Sequence, residues 1–210
     1  MGEKTWRAPG PLLDGLRVRR IRDAFWREDD PAEPLGVYDA SKLAGENAII
    51  APGGPGLIPR TSWVYNATSA CFLTTMLKLG AERPALSIGN DQIGAPTPAH
   101  WFATMTAQIL MGRNSDFDDT PQRYHIALAG TCSCFNFADA IFTNARFSEL
   151  SLALETLTPI PSKDYPTPGK RPLNFRLDIT KLATKFSVAL ENWPVLLDEI
   201  FIGGILGDRA

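Results

Sequence analysis

From Val37 onward, helix-length amphipathic segments alternate with short apolar strands. That alternation restricts the chain to an α/β arrangement in which helices cover a mainly parallel sheet. Val37–Ile50 places Val37, Ala40, Ala44 and Ala48 at helical spacing and reads as a helix with one buried stripe, ended by Pro52-Gly53-Gly54-Pro55-Gly56. Leu57–Tyr65 reads as a buried strand. Pro59 is awkward inside it, because proline cannot donate to a ladder and belongs at an edge, a bulge or a strand start. Thr68 or Ser69 can cap a helix that runs to Leu79 and stops at Gly80. Leu86–Ile88 is a short strand and Asp91–Pro96 a loop, after which Thr97 as cap and Pro98 at the first helical position open a helix to Met111. Tyr124–Leu128 is a further strand. Ser133 then caps a helix to Phe147 whose Phe137, Ala138, Ile141, Phe142 and Ala145 share one face. A proline-rich loop follows, with Pro159, Pro161, Pro166, Pro168 and Pro172. Asp178 and Asn192 cap two last helices, the second with Pro194 near its start and Gly203 at its end. No internal repeat interrupts this order.

Bulk properties exclude several classes of function. A net charge of −2 over 210 residues gives no electrostatic reason to capture nucleic acid or an anionic membrane. No apolar run approaches the ~20 residues of a membrane span, and Met1–Arg22 has no signal-peptide hydrophobic region. Cys71, Cys132 and Cys134 are an odd set without metal spacing. They read as reduced thiols, which points to a cytoplasmic location. Met1–Asp30 stands apart, with Arg17, Arg19, Arg20 and Arg22 in a run of little periodicity that ends in Glu28-Asp29-Asp30.

The sharpest local feature is Tyr38 and Lys42. Four residues apart on a helix, their side chains share a face. A phenol holds its proton to pH ~10 and a nearby ammonium stabilises the phenolate, so such a pair can hand a proton to a carbonyl oxygen as hydride reaches the carbon. Two fixed positions also recur by chance. His125 reads as structural, His100 has no partner in view, and no neighbour activates Cys132 or Cys134.

The surrounding segment, Glu33-Pro34-Leu35-Gly36-Val37-Tyr38-Asp39-Ala40-Ser41-Lys42-Leu43-Ala44-Gly45-Glu46, closely resembles the catalytic segment of the dTDP-4-dehydrorhamnose reductases, which are extended short-chain dehydrogenase/reductases. The resemblance continues through Arg60-Thr61-Ser62-Trp63-Val64-Tyr65, Asp91-Gln92-Ile93-Gly94-Ala95-Pro96-Thr97, Tyr124-His125, Gly130-Thr131 with Phe137-Ala138, and Arg171-Pro172-Leu173-Asn174 with Arg176-Leu177-Asp178. It implies an oxidoreductase that reduces dTDP-4-dehydro-L-rhamnose with NADPH or NADH. Tyr38 would be the proton donor, Lys42 would bind the nicotinamide ribose, and Trp63 would contact the nucleotide sugar. For Trp63 a core position is the competing reading. Lys163, Lys170, Arg171 and Arg176 suit either a diphosphate site or a solvated loop. The implied partner is a small nucleotide sugar, with a homodimer an open expectation.

The chain also departs from the family. Pro59 replaces an aliphatic residue, Cys134 an aromatic one, Phe175 a small polar one and Ser187 a glycine. The family's glycine-rich strand–turn–helix for the cofactor pyrophosphate is absent, as is its segment STDYVFDG. Gly53-Gly54-Pro55-Gly56 follows a helix and precedes a strand, the reverse of a dinucleotide fingerprint. The expected fold is therefore a partial Rossmann-type α/β fold lacking the N-terminal dinucleotide-binding half but keeping the smaller substrate-binding lobe, with residues 26–210 in the family and 1–25 a non-family, disordered arm. Synonymous codons for Leu13–Ile21 read one base later encode STDYVFDG, so the arm is expected to be family sequence in a shifted frame. Reductase activity in this chain is then expected to be lost. A non-catalytic nucleotide-sugar-binding or regulatory module is the alternative, and the product of a damaged gene a third.

Overall fold

The computed structural model describes residues 24–32, 34, 36–112, 120–164 and 172–203. The arm as far as residue 23, together with Lys170, Arg171, Pro166 and Pro168, lies outside the described residues. The elements run α1 (Val37–Ile50), β1 (Leu57–Arg60), β2 (Val64–Tyr65), α2 (Phe72–Glu82), β3 (Ala85–Gly89), β4 (Ile93–Gly94), β5 (Thr97–Pro98) and α3 (Ala99–Gly112). There follow β6 (Gln122–His125), β7 (Cys132–Ser133), α4 (Cys134–Phe147), β8 (Thr156–Ile160), a 3₁₀ turn (Ser162–Asp164), α5 (Thr180–Phe186) and α6 (Trp193–Ile202). β1–β6, β2–β5 and β3–β8 pair in parallel and β4–β7 antiparallel, so the fold is α/β with mostly parallel pairing. Parallel pairs need long crossovers, and α2, α3 and α4 lie within these.

α4 organises the core. Ser133 caps it as its sequence predicts, accepting from Asn136 N at 3.0 Å. Phe137, Ala138, Ile141, Phe142 and Ala145 are all buried, packed into one cluster with Leu73 and Met76 of α2 and Leu196, Leu197 and Ile200 of α6. Each large apolar side chain buried this way contributes about 1.5–3 kcal/mol. Pro59 sits within β1. Gln122 and Ile126 donate to the Gly56 and Arg60 carbonyls, so by alternation the missing N–H of Pro59 falls on the edge away from β6. Among the described residues nothing pairs with that edge.

Several local expectations fail. The single strand expected over Leu57–Tyr65 breaks at Trp63 into β1 and β2, which pair with different strands. α1 spans the expected residues, but Val37, Ala40, Ala44 and Ala48 face solvent, Val37 being 88% exposed, and the helix buries Glu46 instead. Periodicity reveals an apolar face; only a neighbour can bury it. Thr97 and Pro98 form β5 beside β2 rather than capping α3. The proline-rich stretch opens with β8, where Pro159 pairs with Ile88. Finally, α2 begins after Cys71, whose thiol and Thr74 form the capping box, and continues through Gly80 to Glu82.

Gly80 is required by packing and not by chain termination. A Cβ there would collide with Cε1 of Phe142, where α2 crosses α4. Gly80→Ala is therefore expected to lower stability by about 1–3 kcal/mol through overpacking, although helix propensity alone would favour alanine by about 1 kcal/mol. A urea midpoint that rises in this variant would refute the packing argument. Ser187, where the family resemblance leads one to expect glycine, caps α5 in the left-handed region at φ 52°.

Candidate active site

Tyr38, Lys42 and Glu46 stand four residues apart along α1. Each step of four advances about 40° around a helix, so the series turns from solvent toward the interior. Tyr38 is 51% exposed, Lys42 half-buried and Glu46 3% exposed. The Lys42 ammonium lies over the Tyr38 ring, 5.3 Å from its centroid, so the predicted shared face exists. Ser41 Oγ donates to the Tyr38 carbonyl at 2.7 Å. Glu46 anchors this helix: Arg60 Nε and Nη2 donate to its two oxygens at 2.7 and 2.6 Å, and Arg123 Nε donates to Oε2 at 2.7 Å. Arg123 also reaches Asn47 Oδ1 at 3.1 Å. Arg60 ends β1 and Arg123 lies in β6, so one carboxylate ties the tyrosine–lysine helix to both strands. This anchor was not singled out from the sequence, although Tyr38, Lys42 and Glu46 share one spacing.

Beside the anchor, Arg60 pairs in register with His125, which is fully buried. His125 Nδ1 donates to the Asp178 carbonyl at 3.0 Å, which leaves Nε2 as a buried acceptor without a protein partner. Burial lowers its pKa from the usual 6.5. Arg60 acts in the same direction, while Glu28 and the Asp178 carbonyl oppose it. The unfolded chain therefore binds this proton first as pH falls. The stability contribution is complete above about pH 6.5 and is lost progressively below it. Asp178 adds to acid lability only at lower pH, because hydrogen bonds from Thr180 hold its carboxyl below the usual 3.8. His125→Gln is expected to flatten the melting temperature between pH 6.5 and pH 5. An unchanged slope would exclude His125 as its source.

Trp63 follows β1 and adopts φ 51°, a costly conformation for a bulky residue. Its carbonyl accepts from Thr97 N at 3.1 Å, and its half-buried indole lies against Gly94 and Phe175. Its contacts thus include core neighbours while part of the ring stays open. His100 is exposed on α3, and Arg176 bonds Asn174 Oδ1 at 2.8 Å and covers the Phe25 ring. Lys163 is exposed on the 3₁₀ turn. Burial pushes the Cys132 thiol up to about 12, which makes it a poor nucleophile at neutral pH. Among the described residues no cluster of His, Cys, Asp and Glu could hold a metal, and no helix is long and apolar enough to cross a membrane.

Comparison with known proteins bears on the family and the fold. The RmlD substrate binding domain family model matches residues 14–202. The dTDP-4-dehydrorhamnose reductase of Escherichia coli K12 is 40% identical over 184 residues, covering 85% of this chain and 61% of that protein. That of Burkholderia thailandensis is 40% identical over 171 residues, covering 79% and 57%. The crystal structure of a Clostridium acetobutylicum dTDP-4-dehydrorhamnose reductase superposes with a TM-score of 0.75 at 27% identity, covering 92% of this chain and 62% of that one. The Bacillus anthracis reductase in complex with NADP gives 0.74 at 27% identity, covering 87% and 60%. The chain thus spans about three-fifths of the length of these relatives. With a matched family model, shared sequence over most of its length and the same fold, the chain belongs to the dTDP-4-dehydrorhamnose reductase family of oxidoreductases.

Proposed function

We propose that this chain carries the proton-donor helix and the nucleotide-sugar lobe of a reductase acting on dTDP-4-dehydro-L-rhamnose. The observation that carries the reading is the Lys42 ammonium held over the Tyr38 ring on a helix anchored through Glu46. In the reaction, Tyr38 Oη gives its proton to the C4 carbonyl oxygen, and Lys42 keeps positive charge beside the phenol as negative charge develops there. When bound, a reduced nicotinamide supplies hydride to the C4 carbon. Tyr38 and Lys42 suit the ribose and nicotinamide end of such a cofactor. No glycine-rich strand–turn–helix for its pyrophosphate occurs among the described residues, and the short-chain dehydrogenase half that would provide one has no counterpart there.

The half-buried Trp63 indole, part of which stays open, also suits a second reading, a lobe that holds the nucleotide sugar without turning it over. Both readings require dTDP to bind near Trp63. Added dTDP at about 100 times its Kd is expected to stabilise the chain by about 2.7 kcal/mol in thermal melts, and Trp63→Ala should remove that gain. If dTDP produces neither a melting shift nor calorimetric heat, both readings fail.

A further inference from the structure

We infer that Phe175 is a positioning residue for Trp63: with the bare Cα of Gly94 it forms a seat that fixes the indole as a stacking wall for a nucleoside-diphosphate sugar. The ligand part of this inference rests on the proposed role of Trp63.

A tryptophan at φ 51° persists only where its surroundings over-determine it. Three contacts do so here. Thr97 N holds the Trp63 carbonyl. A Cβ on Gly94 would stand 2.7 Å from Trp63 Cε2 and 2.9 Å from Cδ2, so the indole lies directly on the glycine and any side chain there would expel it. The Phe175 ring closes the third side, its centroid 5.8 Å from that of the indole and tilted by 58°, an attractive aromatic geometry.

Phe175 is itself held. It is 7% exposed, its N–H donates to the Ile93 carbonyl at 2.7 Å, and its carbonyl accepts from Ser62 Oγ at 3.4 Å. Ile93 pairs with Ser133 on one side and Asn174 on the other, which makes a small three-stranded patch. Alternation along these strands puts Cys134, Gln92, Gly94 and Phe175 on one face. Contacts agree, with Cys134 Sγ 3.9 Å from Gln92 Oε1 and a Gly94 Cβ position 3.1 Å from Phe175 Cβ. Trp63 lies on this same face. The Phe175 ring stands on the Trp63 side of β4, where a small polar group would leave the indole free to rotate.

The test uses the full chain and four variants: Trp63→Phe, Phe175→Ser, Phe175→Tyr and Phe175→Ser with Trp63→Phe. The near-ultraviolet circular dichroism difference between wild type and Trp63→Phe defines the signal of the seated indole. Phe175→Ser is expected to erase that signal while the far-ultraviolet spectrum is kept, and to raise the calorimetric Kd for dTDP about tenfold. Phe175→Tyr should retain both, and the double variant should bind no more weakly than Trp63→Phe alone. A Trp63 signal that survives Phe175→Ser, or binding losses that simply add, overturns the inference. If Phe175→Ser does not fold, Phe175→Leu takes its place, keeping apolar bulk without a ring, with the same loss of signal expected. If wild type binds no dTDP, the ligand role fails with the proposed function, and the dichroism comparison still decides whether Phe175 seats the indole.

Discussion

Glu46→Ala is expected to lower stability by about 3–5 kcal/mol, a large part of the 5–15 kcal/mol that holds a typical domain together. The loss comes from what remains. Arg60 is 2% exposed and both of its hydrogen bonds to Glu46 would vanish, leaving a buried guanidinium without a counter-charge. Arg60 Nη1 already lacks a protein partner, so the site has no spare acceptor at hand. Arg123 is the internal control. Its side chain is 27% exposed, so Arg123→Met should cost about 1 kcal/mol or less, water replacing the lost partner. Glu46→Leu combined with Arg60→Met should recover much of the single-variant loss, because an apolar pair of similar volume can replace a buried ion pair at little cost. Urea unfolding of the four proteins measures all of this. A loss below about 1 kcal/mol for Glu46→Ala would mean that the trio is dispensable to the fold.

The purified 210-residue chain is expected to bind NADPH with no useful affinity and to show no turnover of dTDP-4-dehydro-L-rhamnose. In the proposed function Tyr38 and Lys42 engage the ribose and nicotinamide, while much of a dinucleotide's recognition comes from a helix N-terminus and glycine loop against the pyrophosphate. The glycine cluster Gly53-Gly54 with Gly56 joins the end of α1 to the start of β1, opposite to the order such a loop needs. If a dinucleotide-binding half from a relative is fused ahead of Trp26, activity should appear. Tyr38→Phe should then reduce kcat by about 10²–10⁴-fold, with a smaller change in KM. Calorimetry with NADPH and a single-turnover assay test the two parts separately. Turnover by the unfused chain that Tyr38→Phe abolishes would contradict the first part. A fused enzyme indifferent to Tyr38→Phe would contradict the second.

Some of this protein was legible residue by residue. The bounds of α1, the Ser133 cap and five-residue buried face of α4, the alternation that makes the fold α/β, and the Tyr38–Lys42 pair all depend on spacing within one short segment. Local sequence controls such features because helical periodicity and capping act over only a few residues. The ordered motif blocks that identified the family were legible for the same reason.

Tertiary structure decided the rest. Which face of α1 turns inward depends on Arg60 and Arg123, lying 14 and 77 residues from Glu46, and their pull on one carboxylate outweighs a stripe of alanines. Gly80 looked like a helix stop and proved to be the clearance for Phe142, 62 residues away on α4. Pro159 looked like loop and became strand because β3 was there to pair with it. Trp63 could be named from its motif, but its left-handed backbone and its seat on Gly94 and Phe175 arise from strands brought together across more than a hundred residues. Periodicity specifies what each segment can offer. Burial, ion pairing and close approach are properties of two segments at once, and only the folded chain brings the second one into place.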